Sequence, residues 1–327
     1  MKRVEVIADT SSGKAVSRIA DKFKAVDFHV CYTLEDGRQV IQLLVTDDRL
    51  QEVLDSLQSI LGAQPYARIL VTPLETVLPR IDEKQRKRQT SPTTTREALY
   101  ATVEKNVALD LNYTVLVALS TVVAAIGLME NNAAVVIGAM VIAPLLSPNL
   151  ALGLGTALGD LQLMKKSLLA TFAGIGLAIL LSTAMGMSLR FNLSSPELMA
   201  RTVVGLDSVV LALASGAAAA LSLTTGLSSV LVGVMVAVAL LPPAVTLGLM
   251  LGVHQTELAL GAGLLLAVNL VCVNLAAKLV FFFKGVRPRT GPERQKAQLA
   301  MMTYVSVWLV TLLFLVAAIY ARRALSP

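Results

Sequence analysis

The sequence predicts an α-helical polytopic membrane protein of about seven spans, with an inverted repeat of three spans and an N-terminal α+β soluble domain of ferredoxin-like order (βαββαβ). Three observations predict it. Apolar residues make up 55% of the 327 positions and charged residues only 15%, with a mean hydropathy of +0.69, against roughly 45–50% and 25% in globular domains. Residues 1–110 hold 16 Lys and Arg against 16 Asp and Glu; the other 217 positions hold 12 basic and 6 acidic residues, and so carry the whole net charge of +6. A shift of 95 residues lays Val135–Leu154 on Val230–Leu249 with ten identities in twenty positions, where apolar composition alone gives roughly two or three. This balance excludes an ordinary soluble enzyme.

The first third alternates strand and helix signals. Residues 2–8 are β-branched and alternate in character. Ser11 or Ser12 can cap a helix running to about Val26, with Val16, Ile19, Ala20 and Phe23 on one face. Phe28–Leu34 and Gln39–Thr46 form a hairpin about Asp36-Gly37. Asp47 or Asp48 caps a second helix, in which Leu50, Leu54, Leu57 and Leu61 share a face and which Gly62 closes. Ala67–Thr72 is the last strand, completing βαββαβ. Ser12-Gly13-Lys14 lacks the first glycine and the final Ser or Thr of a phosphate loop, so nucleotide binding is not expected there. This domain, residues 1–79, reads either as a ligand- or partner-sensing module or as a dimerisation or docking module.

Residues 80–92 form a charged linker, and 93–111 an amphipathic interfacial helix with Leu99, Val103, Val107 and Leu111 every fourth position. The transmembrane domain, 112–327, contains apolar stretches at about 112–129, 132–158, 167–189, 207–225, 228–252, 258–283 and 302–321, each long enough for roughly 30 Å of hydrocarbon. Repeat one is 112–189, repeat two 207–283, and the last span stands outside both. Lys165 and Lys166, and the basic stretch 284–300, are expected on the cytoplasmic side with the N-terminal domain. Met1-Lys2-Arg3 opens no secretory signal. The expected location is the cytoplasmic (cell inner) membrane.

Three spans per copy is an odd number, so successive copies cross in opposite directions, as in many secondary transporters. Pro144 and Pro148 interrupt the second span, and Pro242 and Pro243 the fifth. Backbone groups freed by proline are tolerated at membrane depth only inside protein or against a wet cavity. The candidate substrate pathway therefore comprises Pro144, Ser147, Pro148 and Asn149 at the first break, and Pro242, Pro243 and Thr246 at the second. Asn269 and Asn274 in the sixth span join it, together with Asn132, which can equally cap the second span. Lys278, one turn beyond Asn274, is expected to snorkel towards the cytoplasm. Asp110, Glu130, Asp160, Asp207 and Glu257 all fall near span ends, which disfavours an acidic proton relay.

The segment from Asn132 to Pro148, NAAVVIGAMVIAPLLSP, resembles the hallmark of the domain of unknown function 389 family of prokaryotic hydrophobic membrane proteins. Thr225-Gly226, Leu240-Leu241-Pro242-Pro243 and Asn269 are similar to its second block, so the resemblance covers about 100–285. Ser147 stands where the family commonly has glycine, and Ala133 where serine is common. The resemblance implies a membrane architecture with an N-terminal soluble domain and implies no chemistry.

No HExxH, GxSxG or comparable cluster occurs, and Cys31 and Cys272 stand apart without metal-ligand spacing. The expected function is passage of a small solute, transporter-like or channel-like, under a cytoplasmic regulatory domain. No enzyme activity, cofactor, metal or nucleic-acid partner is expected. The expected partners are membrane lipids, an unknown small solute and further copies of the chain in a homo-oligomer. The competing expectation is a non-transporting sensor or scaffold whose soluble domain binds a ligand or partner.

Overall fold

A computed structural model describes residues 1–74, 77, 95–225, 240–286 and 291–325, with side chains omitted at 291–301 and 323–325. The linker 80–92, Gly226 and most of the fifth span's first half therefore lie outside the described residues. The chain divides into two compact units, Met1–Arg96 and Glu97–Pro327.

The first unit contains β1 (Lys2–Asp9), α1 (Gly13–Lys22), β2 (Asp27–Thr33), β3 (Arg38–Val45), α2 (Leu50–Leu61) and β4 (Arg68–Pro73). The four strands form one antiparallel sheet in the order β2-β3-β1-β4. Pleat alternation puts Val4 opposite Leu43 and Val6 opposite Ile41, and these close a single core with Val16, Ile19 and Ala20 of α1 and Val53, Leu54 and Leu57 of α2. Gly37 takes the left-handed turn conformation at φ 82°, and Asp36 accepts from the Arg38 backbone and guanidinium. That guanidinium holds the Asp36 carboxyl below its ordinary range.

Both expected helix caps are corrected. A 3-10 turn, Thr10–Ser12, precedes α1, and Ser12 stands at the N-cap position as expected, but its hydroxyl accepts from the Gln64 side chain and makes no capping bond. Arg49 occupies the N-cap position of α2, because Asp47 is drawn to the N-terminal amine of Met1 at 2.9 Å. The helix α1 stops at Lys22, short of Val26, where Lys24 turns to φ 52°.

The second unit is mostly helical. It begins with α3 (Arg96–Lys105, whose first residue closes the other unit), then α4 (Leu111–Met129), α5 (Ala133–Ile142), α6 (Leu146–Leu158), α7 (Leu161–Ser188) and the short α8 (Pro196–Met199). Next come α9 (Leu206–Thr225), α10 (Leu241–Gly252), α11 (Thr256–Phe283) and α12 (Gly291–Leu325). Among the described residues five helices are long and apolar enough to cross a membrane: α4, α7, α9, α11 and the Met302–Arg322 part of α12. Counting α5 and α6 as one broken span gives six. These apolar helices mark a membrane protein.

The amphipathic segment is helical only from Arg96 to Lys105, with Leu99 and Val103 inward. It ends because the Asn106 and Val107 amides turn back to the Val103 and Glu104 carbonyls, and Asp110 then caps α4 by accepting from the Tyr113 amide. Glu130, Asp160, Asp207 and Glu257 likewise sit at helix ends.

The copies share boundaries. Leu111, Leu146 and Leu161 begin α4, α6 and α7; Leu206, Leu241 and Thr256, each 95 positions later, begin α9, α10 and α11. Packing is reciprocal between the copies: α6 lies on α11, and α10 on α7. At the first crossing Gly153 meets Ala277, where a Cβ on the glycine would stand 3.2 Å from the alanine Cβ. At the second, Gly248 meets Ser182, where a Cβ would collide with the hydroxyl. These are the same two positions displaced by 95 residues.

Candidate functional site

The second expected span is two helices, α5 and α6, meeting at 49°. Pro144 explains the break. A residue preceding proline is pushed out of the helical region, and Ala143 is extended at φ −68°, ψ 121°. The other prolines act differently from the sequence expectation. Pro148 is the third residue of α6, and Pro242 and Pro243 are the second and third of α10. In a first turn the missing N–H has no intrahelical partner to lose. These prolines therefore start helices rather than freeing carbonyls within them.

The break opens a cavity of about 300 Å³. Pro144, Ser147 and Leu150 line it from one side, Thr102 and Val103 from α3 with Asn106 just past its end, and Ala219 and Ser222 from α9. The hydroxyls and the amide give it a neutral, hydrogen-bonding wall on an apolar frame.

Two residues beyond Ser147, α6 enters the interior, and Asn149 is fully buried there. Asn274 of α11, also at 0% exposure, donates its Nδ2 to the Asn149 backbone oxygen at 3.1 Å and to its Oδ1 at 3.0 Å. The remaining Asn149 Nδ2 and Asn274 Oδ1 have no hydrogen-bond partner among the described residues. One turn after Asn149 comes Gly153, whose missing side chain lets the α6 backbone approach Ala277 and the Lys278 amide.

Lys278 corrects a second expectation. It does not reach outward: the whole residue is at 0% exposure. Its Nζ lies 4.7 Å from the ring centre of Trp308 and 5.9 Å from that of Tyr304, both on α12. No hydrogen-bond acceptor reaches the Nζ among the described residues.

The remaining candidates are dispersed. Asn132 is exposed and caps α5, its Oδ1 accepting from the Val135 amide. Thr246 is buried in α10 beside the buried Pro242 and Pro243, its hydroxyl without a partner among the described residues. Asn269 is buried in α11 and has an interaction of its own. The structure thus brings Pro144 and Ser147 to one cavity and Asn149 and Asn274 to one hydrogen-bonded pair.

Sequence reading missed Thr102, Asn106 and Ser222 as cavity residues, and Tyr100 as an anchor of α3. The Tyr100 hydroxyl donates to Asp160 at 2.8 Å while Asp160 caps α7. Burial, then the Asp160 carboxylate, push the Tyr100 phenol up to about 12. Lys166 pairs with Glu104 on the same helix. The one available signal was the placement of these polar residues at helical spacing beside Leu99 and Val103.

Residues 140–275 match a family described as a domain of unknown function (DUF389). An uncharacterized protein of Methanocaldococcus jannaschii is 32% identical over 268 residues, which cover 82% of this chain and 83% of that relative. No solved structure matches. The match runs from Met140, just before the break, to Leu275, just past the amide pair, and the chain belongs to the DUF389 family.

Proposed function

We propose that this protein passes a small solute across the cytoplasmic membrane, as a transporter-like or channel-like bundle of about seven spans with a cytoplasmic regulatory domain. One observation carries the reading: α6 gives Ser147 and Leu150 to the cavity at the Pro144 break and, between them in sequence, the buried Asn149, whose amide pair with Asn274 keeps a donor and an acceptor without a partner among the described residues. Each such group costs about 1–3 kcal/mol when left unmade, and polar groups at membrane depth characteristically line solute pathways. Proteins built only for packing have no reason to keep them.

An inverted three-span repeat is supported by the shared element boundaries and by the reciprocal Gly153–Ala277 and Gly248–Ser182 contacts. Reciprocity of this kind is what a two-fold relation between copies produces. The element order and the β2-β3-β1-β4 sheet support a ferredoxin-like domain. Residues 1–79 are the regulatory part, held in the cytoplasm by the basic residues flanking the spans. The protein has no enzymatic role and works as a homo-oligomer among membrane lipids.

The test is stopped-flow swelling of proteoliposomes in isotonic glycerol, urea and sodium formate. At least one solute should enter faster than into protein-free vesicles, and Asn149→Leu with Asn274→Leu should abolish the difference. Entry no faster than into empty vesicles for all three would overturn the reading. A sensor or scaffold is the second reading, favoured by Tyr32, Tyr66 and Leu70, which stand 59%, 72% and 47% exposed on the N-terminal domain.

A further inference from the structure

The helix α11 carries a buried lysine that neither its packing nor the amide pair explains. Lys278 is fully buried, yet no Asp or Glu is buried among the described residues of the second unit. Its Nζ faces the rings of Trp308 and Tyr304, which attract a cation without neutralising it. A helix of 28 residues is about 42 Å long, and Lys278 lies roughly 7–8 Å of rise before its end. Its enclosure owes nothing to lipid, because protein alone reduces its exposure to zero.

Asn274 and Lys278 are four residues apart and share a face of α11. That face meets α6 at Asn149 and, one turn on, at Gly153. The junction of α6, α11 and α12 therefore offers an ammonium and the unused Asn149 Nδ2 as donors, with the unused Asn274 Oδ1 as an acceptor. A lysine amine with no acceptor among the described residues, one helical turn along α11 from the amide pair, is complementary in its protonated form to an oxyanion. The acceptor adds a preference for a protonated oxygen, as in hydrogen phosphate or a hydroxycarboxylate.

We infer that Lys278, Asn149 and Asn274 form a site for a small oxyanion, a carboxylate or phosphate, and that the structure holds this site in a closed conformation. The inference rests on the solute-passage reading and names its substrate class. Charge complementarity is what selects an oxyanion over a neutral solute here, since a neutral solute leaves the ammonium uncompensated.

The chain supplies its own reporter, because Trp308 is its one tryptophan. Full-length protein in nanodiscs is titrated with sodium formate or sodium phosphate, replacing sodium chloride at fixed ionic strength, while tryptophan emission is recorded. The expected result is a saturable change with formate or phosphate and none with glycerol. Lys278→Met should weaken the apparent affinity about tenfold or more, the worth of one charge-assisted hydrogen bond, and Lys278→Arg should retain it. No saturable change in the unsubstituted protein overturns the site, and so does an unchanged titration in Lys278→Met; the first outcome decides even if that variant fails to fold. Swelling in glycerol without an emission response to either oxyanion overturns this inference alone. An emission response without swelling in any solute overturns solute passage and leaves the site standing.

Discussion

Asn274 grips Asn149 through one amide nitrogen, which donates to both the backbone and the side-chain oxygen across the α6–α11 crossing. The pairing joins the second element of one copy to the third element of the other. It is one-sided: each asparagine is left with one group that has no partner among the described residues. An amide pair kept only for adhesion would close both halves of the exchange.

The energetic signature of that pair is non-additivity. Asn274→Leu strands the Asn149 amide in the interior and should lower stability by about 1–3 kcal/mol. The double variant Asn149→Leu/Asn274→Leu removes both polar groups and should recover most of that loss. Thermal melting in detergent of the two single variants and the double reads this; simple addition of the two losses would refute the pairing.

The glycines separate by what surrounds them. Gly248→Ala places a methyl against the Ser182 hydroxyl and the Ile179 carbonyl, and should cost about 1–3 kcal/mol. Gly138→Ala meets nothing within 4 Å and should stabilise α5 by up to about 1 kcal/mol. Melting temperatures in one detergent check both, with Gly138→Ala as the internal control.

Pro144 and Pro148 should part company. Pro144→Ala releases Ala143 from its extended conformation and should reduce the 49° bend, whereas Pro148→Ala changes a first-turn position. Spin labels at Ala134 and Leu158, with Cys31 and Cys272 replaced by alanine, should move apart in the first variant only.

Tyr100 makes α3 attachment sensitive to alkali. Its phenol binds its proton more tightly in the folded protein than in the unfolded chain. Stability from the Tyr100–Asp160 bond is therefore complete below pH 10 and is lost as pH rises from 10 to about 12. Tyr100→Phe should be less stable near neutrality and lack this component of the alkaline decline; melting curves at pH 8, 10 and 11.5 distinguish the two.

Much of this was legible in the sequence because it depends on local periodicity. The strands fall within a residue or two of their expected limits, as do α4, α9 and α11, since alternation and apolar run length report burial directly. The amide pair was half legible: polarity at membrane depth flagged both asparagines, but only the 125-residue contact shows that they bond each other. Pro144 breaks the second span as expected, whereas Pro148, Pro242 and Pro243 were located correctly and misinterpreted, because whether a proline kinks a helix or starts one depends on where the backbone resumes its turn. Lys278 misled for a different reason. Its aromatic seat comes from α12, which lies outside both repeats and therefore outside the pattern that organised the rest. The cavity needed α3 and α9 brought beside the break, which no local signal encodes.

The positions equivalent to Asn149 and Asn274 in the other copy are Ala244 and Ile179. The scaffold is thus doubled while its polarity is not. Two mirrored halves with matching side chains would present one and the same chemistry to arrivals from either side of the bilayer. Four residues cancel that equivalence here, so on the proposed solute-passage reading forward and backward are different journeys.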